Sequence, residues 1–350
     1  MNSTDFLKKI DLKSLELDEL TALVAKLGDK AFRAKQLYDW MHVKLAENYD
    51  AMTNVSKSLK AGLMEKCDYT HLELVQLQVS KEDGTKKYLF KLQDGHTVET
   101  VWMKYKHGNS VCISSQVGCR MGCKFCASTL DGLARNLRPS EMLEQIYAVT
   151  RETGERVSNI VVMGTGEPMD NFDNIVKFIK LISCENGLNI SQRNITVSTC
   201  GIVPKMYEFA DQGFAVTLAL SLHATTDEKR KTIMPVANSF TIAELMDACQ
   251  YYFDKTGRRI TFEYSLIGGV NDSVEEANKL SELAGPLHAH INLIPVNPVV
   301  ERGFKESDRS AIEAFKNKLE KKSINVTIRR EMGRDIDGAC GQLRRRFINE

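Results

Sequence analysis

Residues 110–126 read SVCISSQVGCRMGCKFC: a short apolar run, an abrupt change to polar residues, then a loop holding Cys119, Cys123 and Cys126 spaced four and three apart. The run has the length and composition of a buried strand. The same texture recurs downstream in NIVVMGTG (159–166), NITVST (194–199), AVTLALSLH (215–223), RITFEYSLI (259–267) and HINLIPVN (290–297). Amphipathic stretches separate the runs: SEMLEQIYAVTRET (140–153), NIVKFIKLIS (174–183), TIAELMDACQYYF (241–253), EEANKLSELAG (275–285) and RSAIEAFKNKLEKK (309–322). Ser140 and Thr241 are placed to cap helices at the N-terminus, and Gly154, Gly257 and Gly285 to stop them. Six strand–helix repeats predict a parallel sheet covered by helices, best met by a partial parallel (β/α)6 barrel of the α/β class. In such a fold the chemistry gathers at the C-terminal ends of the strands. Polar and glycine residues interrupt the runs at that end: Ser114–Gln116, Gly164–Pro168, Ser198–Thr199, Ser221–His223, Gly268–Gly269 and Asn297–Pro298.

The chain upstream has a different character. Residues 1–66 read as a small helical accessory domain, clearest in KAFRAKQLYDWMHV (30–43), where Phe32, Leu37, Trp40, Met41 and Val43 form an apolar stripe. Eleven basic side chains face ten acidic ones there, so it is no basic arm. Residues 67–109 form a β-hairpin extension: HLELVQLQV, KKYLFKL and HTVETVWMKY, punctuated by Asp83-Gly84 and Asp94-Gly95. The barrel spans 110–331, and 332–350 is a terminal loop and basic tail. Residues 321–350 carry eight Lys or Arg against four acids, which reads as a solvated tail or as a phosphate contact.

Composition sets outer bounds. Hydrophobic content of 43% and charged content of 27% suit a globular enzyme able to bury a core. A net charge of +1 gives no support to nucleic-acid binding. No apolar run approaches the ~20 residues of a membrane span, and the acidic N-terminus shows no signal peptide. A cytoplasmic protein is expected, and there nine cysteines favour metal binding or catalysis over a disulfide framework.

Three readings compete for Cys119, Cys123 and Cys126. As buried small residues they would need an apolar setting, but Gly118, Arg120, Gly122 and Lys124 flank them. As zinc ligands they lack the second C-x-x-C pair that such loops usually carry. A [4Fe–4S] cluster normally takes four cysteines; three leave one iron free for another ligand, and this reading is favoured.

That spacing, on the loop after the first strand of a parallel barrel, resembles the radical S-adenosylmethionine (SAM) superfamily. The resemblance implies that SAM fills the fourth position through its amino and carboxylate groups, and that the cluster reduces the sulfonium to yield a 5′-deoxyadenosyl radical. Gly166-Glu167 resembles the superfamily's glycine–glutamate motif for the methionyl amino group. Ser198, Ser221, Leu222, His223 and Asn297 match SAM contacts of a narrower group, and Phe125 could lie against the adenine.

Two more cysteines narrow the resemblance. Cys112 lies in VCISSQVGC and Cys340 in GRDIDGACGQL, between Gly338 and Gly341 on what reads as a mobile loop. With KAFRAKQLYDWMH, VETVWMKY, MGTGEP, SLHA and NLIPVNP, these segments resemble the RlmN/Cfr family of radical SAM rRNA adenine methyltransferases over nearly the whole chain, and most of all its carbon-2 group. Mild departures, Gly338 where alanine is common and GRDID, remove no reactive group. The resemblance implies that Cys340 is methylated by one SAM and that a second SAM supplies the radical that activates this methyl. The carbon radical then adds to adenine, Cys112 resolves the crosslink in a Cys112–Cys340 disulfide, and Glu99 accepts a proton. The implied substrates are an adenine in the peptidyl transferase centre of 23S rRNA, before full ribosome assembly, and an anticodon-loop adenine in tRNA. One cluster per chain, two SAM per turnover, a flavodoxin or ferredoxin as electron donor, and a monomer are implied with them. The alternatives are carbon-8 methylation of the same adenine, a radical SAM enzyme on a small molecule, and a non-catalytic RNA-binding zinc protein. Cys67, Cys184, Cys200 and Cys249 read as structural, with Cys200 alone able to approach the site.

Overall fold

The computed structural model describes residues 9–106, 108–297, 303–330, 332–336 and 341–349, and their strand–helix rhythm builds one mixed sheet. The N-terminal region contributes β1 (Ile10–Asp11), α1 (Leu17–Lys26), α2 (Phe32–His42), α3 (Lys57–Lys66) and β2 (Cys67–Asp68), with β2 parallel to β1. The strands β3 (Glu73–Val79), β4 (Lys86–Lys91) and β5 (Thr97–Tyr105) form an antiparallel meander that runs on into β6 (Gly108–Cys112). A ribbon of β7 (Gln116–Gly118) and β8 (Leu133–Asn136) then brackets the cysteine loop.

Alternation follows: α4 (Pro139–Thr153), β9 (Val157–Val162), α5 (Phe172–Ser183), β10 (Ile195–Thr199), α6 (Val203–Asp211), β11 (Thr217–Ser221), α7 (Asp227–Ile233) and α8 (Ile242–Thr256). It continues through β12 (Thr261–Leu266), α9 (Val274–Ala284), β13 (His290–Pro295), α10 (Arg309–Lys321) and β14 (Asn325–Ile328), and ends in α11 (Gln342–Asn349). The sheet order is β14-β13-β12-β11-β10-β9-β6-β5-β4-β3, parallel from β6 through β14.

The six runs read from the sequence are β6 and β9 to β13. Burial is near-continuous in β12 (Phe262–Leu266) and through Leu218–Leu220 of β11, as a sheet covered on both faces requires. The additional parallel strand β14 extends the sheet beyond the six expected. Thr241 caps α8 and accepts from the N–H of Glu244, whose carboxylate returns a bond to the Thr241 N–H. Ser140 is not a cap: α4 begins at Pro139, and the Ser140 hydroxyl instead bonds Asp11 at 2.7 Å. Gly154 and Gly257 end α4 and α8 in the left-handed conformation, whereas Gly285 closes α9 in a right-handed one.

The N-terminal helices share one apolar core with the barrel, in which Leu20, Leu37 and Met41 join Tyr147 of α4 and Ile182 of α5. A fully buried ion pair, Lys13 to Glu144 at 2.8 Å, stitches the same junction. Among the described residues no helix is long and apolar enough to cross a membrane.

Candidate active site

A cavity of about 250 Å³ opens at the C-terminal ends of the parallel strands. Cys119, Cys123 and Cys126 line it together with Phe125, Gly166, Glu167, Ser198, Ser221, His223 and Asn297. The structure thus brings most of the expected site residues to one place. Among the expected SAM contacts Leu222 is the exception: its side chain is fully buried in the main apolar core, and its N–H bonds Glu263 O at 3.1 Å.

The cysteine loop is shaped by its own backbone. Cys119 N–H donates to Gly132 O at 2.8 Å, and the Thr129 hydroxyl bonds the carbonyls of Cys123 and Cys126 at 3.1 and 3.0 Å. Gly118 holds φ +77°, and a Cβ there would lie 1.9 Å from Gly132 O, so no side chain fits. Burial pushes the Cys119 thiol up to about 12 and raises Cys123 as well. Thiols so placed become thiolates only when bound cations supply the compensating charge.

Glu167 sits just past the end of β9, 4% exposed. Its carboxylate accepts from the N–H of Met169 at 3.0 Å and of Cys200 at 2.7 Å. Burial raises its pKa against those hydrogen bonds, so a cationic partner would restore its charge. Gln116 accepts the Glu167 N–H at 2.8 Å and donates to Asp170 at 2.9 Å, tying the cysteine ribbon to this strand end. Across the cavity, the hydroxyls of Ser198 and Ser221 are 3.3 Å apart.

His223, at φ +57°, accepts the Ser265 N–H through Nδ1 at 2.9 Å, which leaves Nε2 as its protonated nitrogen. Burial, reinforced by the nearby charge of Arg230, holds its pKa down to about 3, so the ring is neutral. Fully buried Asn271 fixes this turn by donating to His223 O and Ser265 O at 2.7 Å each. Phe125 meets the His223 ring edge-to-face at 4.7 Å.

Sequence reasoning missed several residues. Cys200 is not one of them: it is the structural cysteine expected to be able to approach the site, and it lines the cavity. Glu263 and Arg329 also line it; Glu263 accepts from Asn292 at 2.8 Å, and burial pushes its pKa up to about 6. Arg230 is fully buried and donates to the carbonyls of Cys200 (2.6 Å), Leu222 (3.1 Å) and Ser221 (3.3 Å), while its Nη1 has no partner among the described residues. Only charge type and chain position were visible for these residues; their burial was not.

The second pair of cysteines divides. Cys112 is buried on β6, directly across from Val101 of β5. Glu99 lies two residues from Val101, and alternate residues share a sheet face, so Cys112 and Glu99 face the same side. Glu99 holds the start of the terminal helix: its carboxylate accepts from Gly341 N at 2.6 Å and Arg344 N at 2.7 Å. Gly341, at φ +82°, also abuts the cysteine loop, since a Cβ there would lie 3.0 Å from Ser128 N. Cys340 and Gly338, with the loop expected around them, lie outside the described residues. Arg344 is no free phosphate contact: it is 9% exposed, and its Nε donates to Thr97 O at 3.1 Å.

Residues 113–280 match the radical SAM superfamily, and residues 10–68 match the ribosomal RNA large subunit methyltransferase N-terminal domain. The chain is 64% identical to a probable dual-specificity RNA methyltransferase RlmN of Lachnospira eligens, over 97% of both chains. It belongs to the RlmN family. A second RlmN relative, from Lachnoclostridium phytofermentans, is 60% identical over 98% of this chain and 96% of its own. The crystal structure of a radical SAM methyltransferase from Sphaerobacter thermophilus superposes with a TM-score of 0.91 at 42% identity, covering 95% of this chain and 98% of that one.

RlmN proteins, as radical SAM enzymes, use a [4Fe–4S] cluster and SAM, and the residues present fit both. Three cysteines on one shaped loop line the cavity. Among the described residues no three His, Cys, Asp or Glu side chains are arranged around a single ion, the arrangement that a zinc site needs. The orphaned Nη1 of Arg230, on a guanidinium electrostatically coupled to Cys123 and Cys200, suits a site that gains negative charge when filled.

Proposed function

We propose that this chain methylates carbon 2 of an adenine in 23S rRNA and of an anticodon-loop adenine in tRNA, with Cys340 as the methyl carrier. The observation that carries this reading is the placement of Gly341. The residue that follows Cys340 is held between Glu99 and the cysteine loop, on the sheet face shared with Cys112. An enzyme acting on a small molecule gives no reason to draw its C-terminus to that point.

Bound at the cavity, the cluster and SAM supply one-electron chemistry able to activate a methyl group for addition to an electron-poor ring carbon. The protein's own part is to hold and to exclude water. Cys119, Cys123 and Cys126 provide three thiolates on a preshaped loop. Glu167, desolvated between two main-chain donors, receives the methionyl ammonium. Ser198, Ser221 and Asn297 offer polar groups around the cavity, and neutral His223 offers an Nε2 donor. Phe125 gives an apolar surface for the adenine of SAM. Glu99, beside the Cys340 segment, is the proton acceptor, and Cys112 on the same sheet face resolves the protein–RNA adduct.

The names of the relatives, dual-specificity RNA methyltransferase, support two RNA substrates. The test is mass spectrometry of rRNA and tRNA nucleosides after incubation with the reconstituted enzyme, a reductant and SAM. 2-Methyladenosine in both RNAs is expected. 8-Methyladenosine alone, or methylation of neither RNA, would overturn the reading.

A further inference from the structure

Glu99 has a structural task that its place in the sequence did not suggest. Its two carboxylate oxygens receive the N–H groups of Gly341 at 2.6 Å and Arg344 at 2.7 Å. Gly341 immediately precedes α11 and Arg344 lies in its first turn, where N–H groups have no partner within the helix. A carboxylate is favoured there by charge as well as by hydrogen bonding. Glu99 therefore caps α11 from a strand more than two hundred residues earlier in the chain.

The cap has its own support. Lys87 Nζ lies 3.1 Å from Glu99 Oε2, with Lys87 0% and Glu99 4% exposed. Register explains the meeting: Glu99 pairs with Leu89 across β4 and β5, Lys87 pairs with Val101, and all four side chains share one face. Val101 in turn pairs with Cys112 on that face. A buried lysine is costly to desolvate and is retained where a specific counter-charge needs it.

We propose that Lys87 is a positioning residue for the methyl transfer: its contact orients the Glu99 carboxylate so that Glu99 fastens the backbone immediately after Cys340. This rests on the reading of Cys340 as carrier and Glu99 as proton acceptor. A consequence follows for the reaction cycle. When Glu99 takes the proton of the substrate carbon, the C–H bond breaks, its electron pair stays with the substrate, and an O–H bond forms on Glu99. One acceptor oxygen and the charge that capped α11 are lost together. Proton uptake thereby loosens the terminal segment at the stage when Cys340 must part from the RNA.

Hydrogen–deuterium exchange of the full-length, cluster-loaded enzyme tests the fastening directly. Lys87→Met should speed exchange at the Gly341 and Arg344 amides at least tenfold and lower the yield of RNA adduct, with iron content and SAM cleavage kept. Lys87→Arg, which retains the charge, should restore slow exchange. Should Lys87→Met fail to fold, the near-isosteric Glu99→Gln gives the same exchange test, since a carboxamide has one acceptor oxygen to offer. Unchanged exchange in Lys87→Met, or in Glu99→Gln where the first does not fold, would overturn the fastening. The reading on which it rests fails differently. If Glu99→Gln loosens the segment yet resolves the RNA adduct at the wild-type rate, the fastening stands and Glu99 is not the proton acceptor.

Discussion

The carboxylate of Glu167 accepts the main-chain N–H of Cys200 at 2.7 Å, and through that bond the ends of β9 and β10 are joined at the wall of the cavity. The second oxygen accepts the Met169 N–H, so the group is fixed before any ligand arrives. Glu167→Gln should weaken SAM binding about tenfold to a hundredfold, the ~1.5–3 kcal/mol of a hydrogen bond to a charged group. Iron content should stay at the wild-type level. Isothermal titration under anaerobic conditions checks this, and unchanged SAM affinity removes Glu167 from the ammonium site.

Gly118 is the tightest point of the cysteine ribbon. Gly118→Ala would place a methyl group 1.9 Å from Gly132 O in a backbone conformation that L residues rarely adopt. The loop must then shift, and cluster incorporation should fall severalfold while the helices stay folded. Iron and sulfide analysis beside far-UV circular dichroism separates the two effects. Full cluster loading in Gly118→Ala would show that the loop needs no such shape.

Glu263 predicts a pH dependence. Burial moves its pKa from the ordinary 4.5 to about 6 in the folded chain. The folded protein therefore binds this proton more tightly than the unfolded one. That contribution to stability is complete below pH ~4.5 and is lost as pH rises through ~6. Its size is about 2 kcal/mol at ~1.36 kcal/mol per unit. Glu263→Gln should raise the stability of SAM-free protein at pH 8 by about that amount and flatten the slope between ~4.5 and ~6. Urea denaturation at a series of pH values measures both. A wild-type slope of opposite sign across that window would contradict the assignment.

The junction between the N-terminal helices and the barrel should be sensitive at one lysine. Lys13 is fully buried against Glu144, with its charge disfavoured by burial and restored mainly by that partner. Lys13→Met leaves Glu144 to Arg151 alone. A loss of about 3 kcal/mol is expected, the low end for breaking a buried pair. Chemical denaturation followed by Trp fluorescence checks it, and a loss below ~0.5 kcal/mol would mark the pair as dispensable.

How far the sequence carried can be judged at particular residues. The parallel strands were legible because both faces are covered, and their runs are rich in Val, Ile, Leu and Phe. The strand β14 was not, since NVTI has a single well-buried side chain and merges with a basic stretch. The short helices α6 and α7 are not among the amphipathic stretches read from the sequence. Ser140 was misread because a residue suited to capping also serves inside a first turn when a partner such as Asp11 accepts its hydroxyl. The cysteine spacing, Glu167 and the strand-end serines were legible as chemistry. Lys87, Arg230 and Glu263 were not. Their significance comes from pairing register and burial, which a linear sequence does not display.

The central claim is that Cys340 carries the methyl group to RNA and Cys112 releases it. Purified Cys112→Ala protein, expressed with ample iron and analysed by mass spectrometry after nuclease and protease digestion, tests this most directly. The account predicts RNA covalently attached to the peptide containing Cys340, and no such adduct in Cys340→Ala. Cys112→Ala protein free of RNA, with Cys340 unmethylated, would contradict it even if the cluster and SAM binding were both in place.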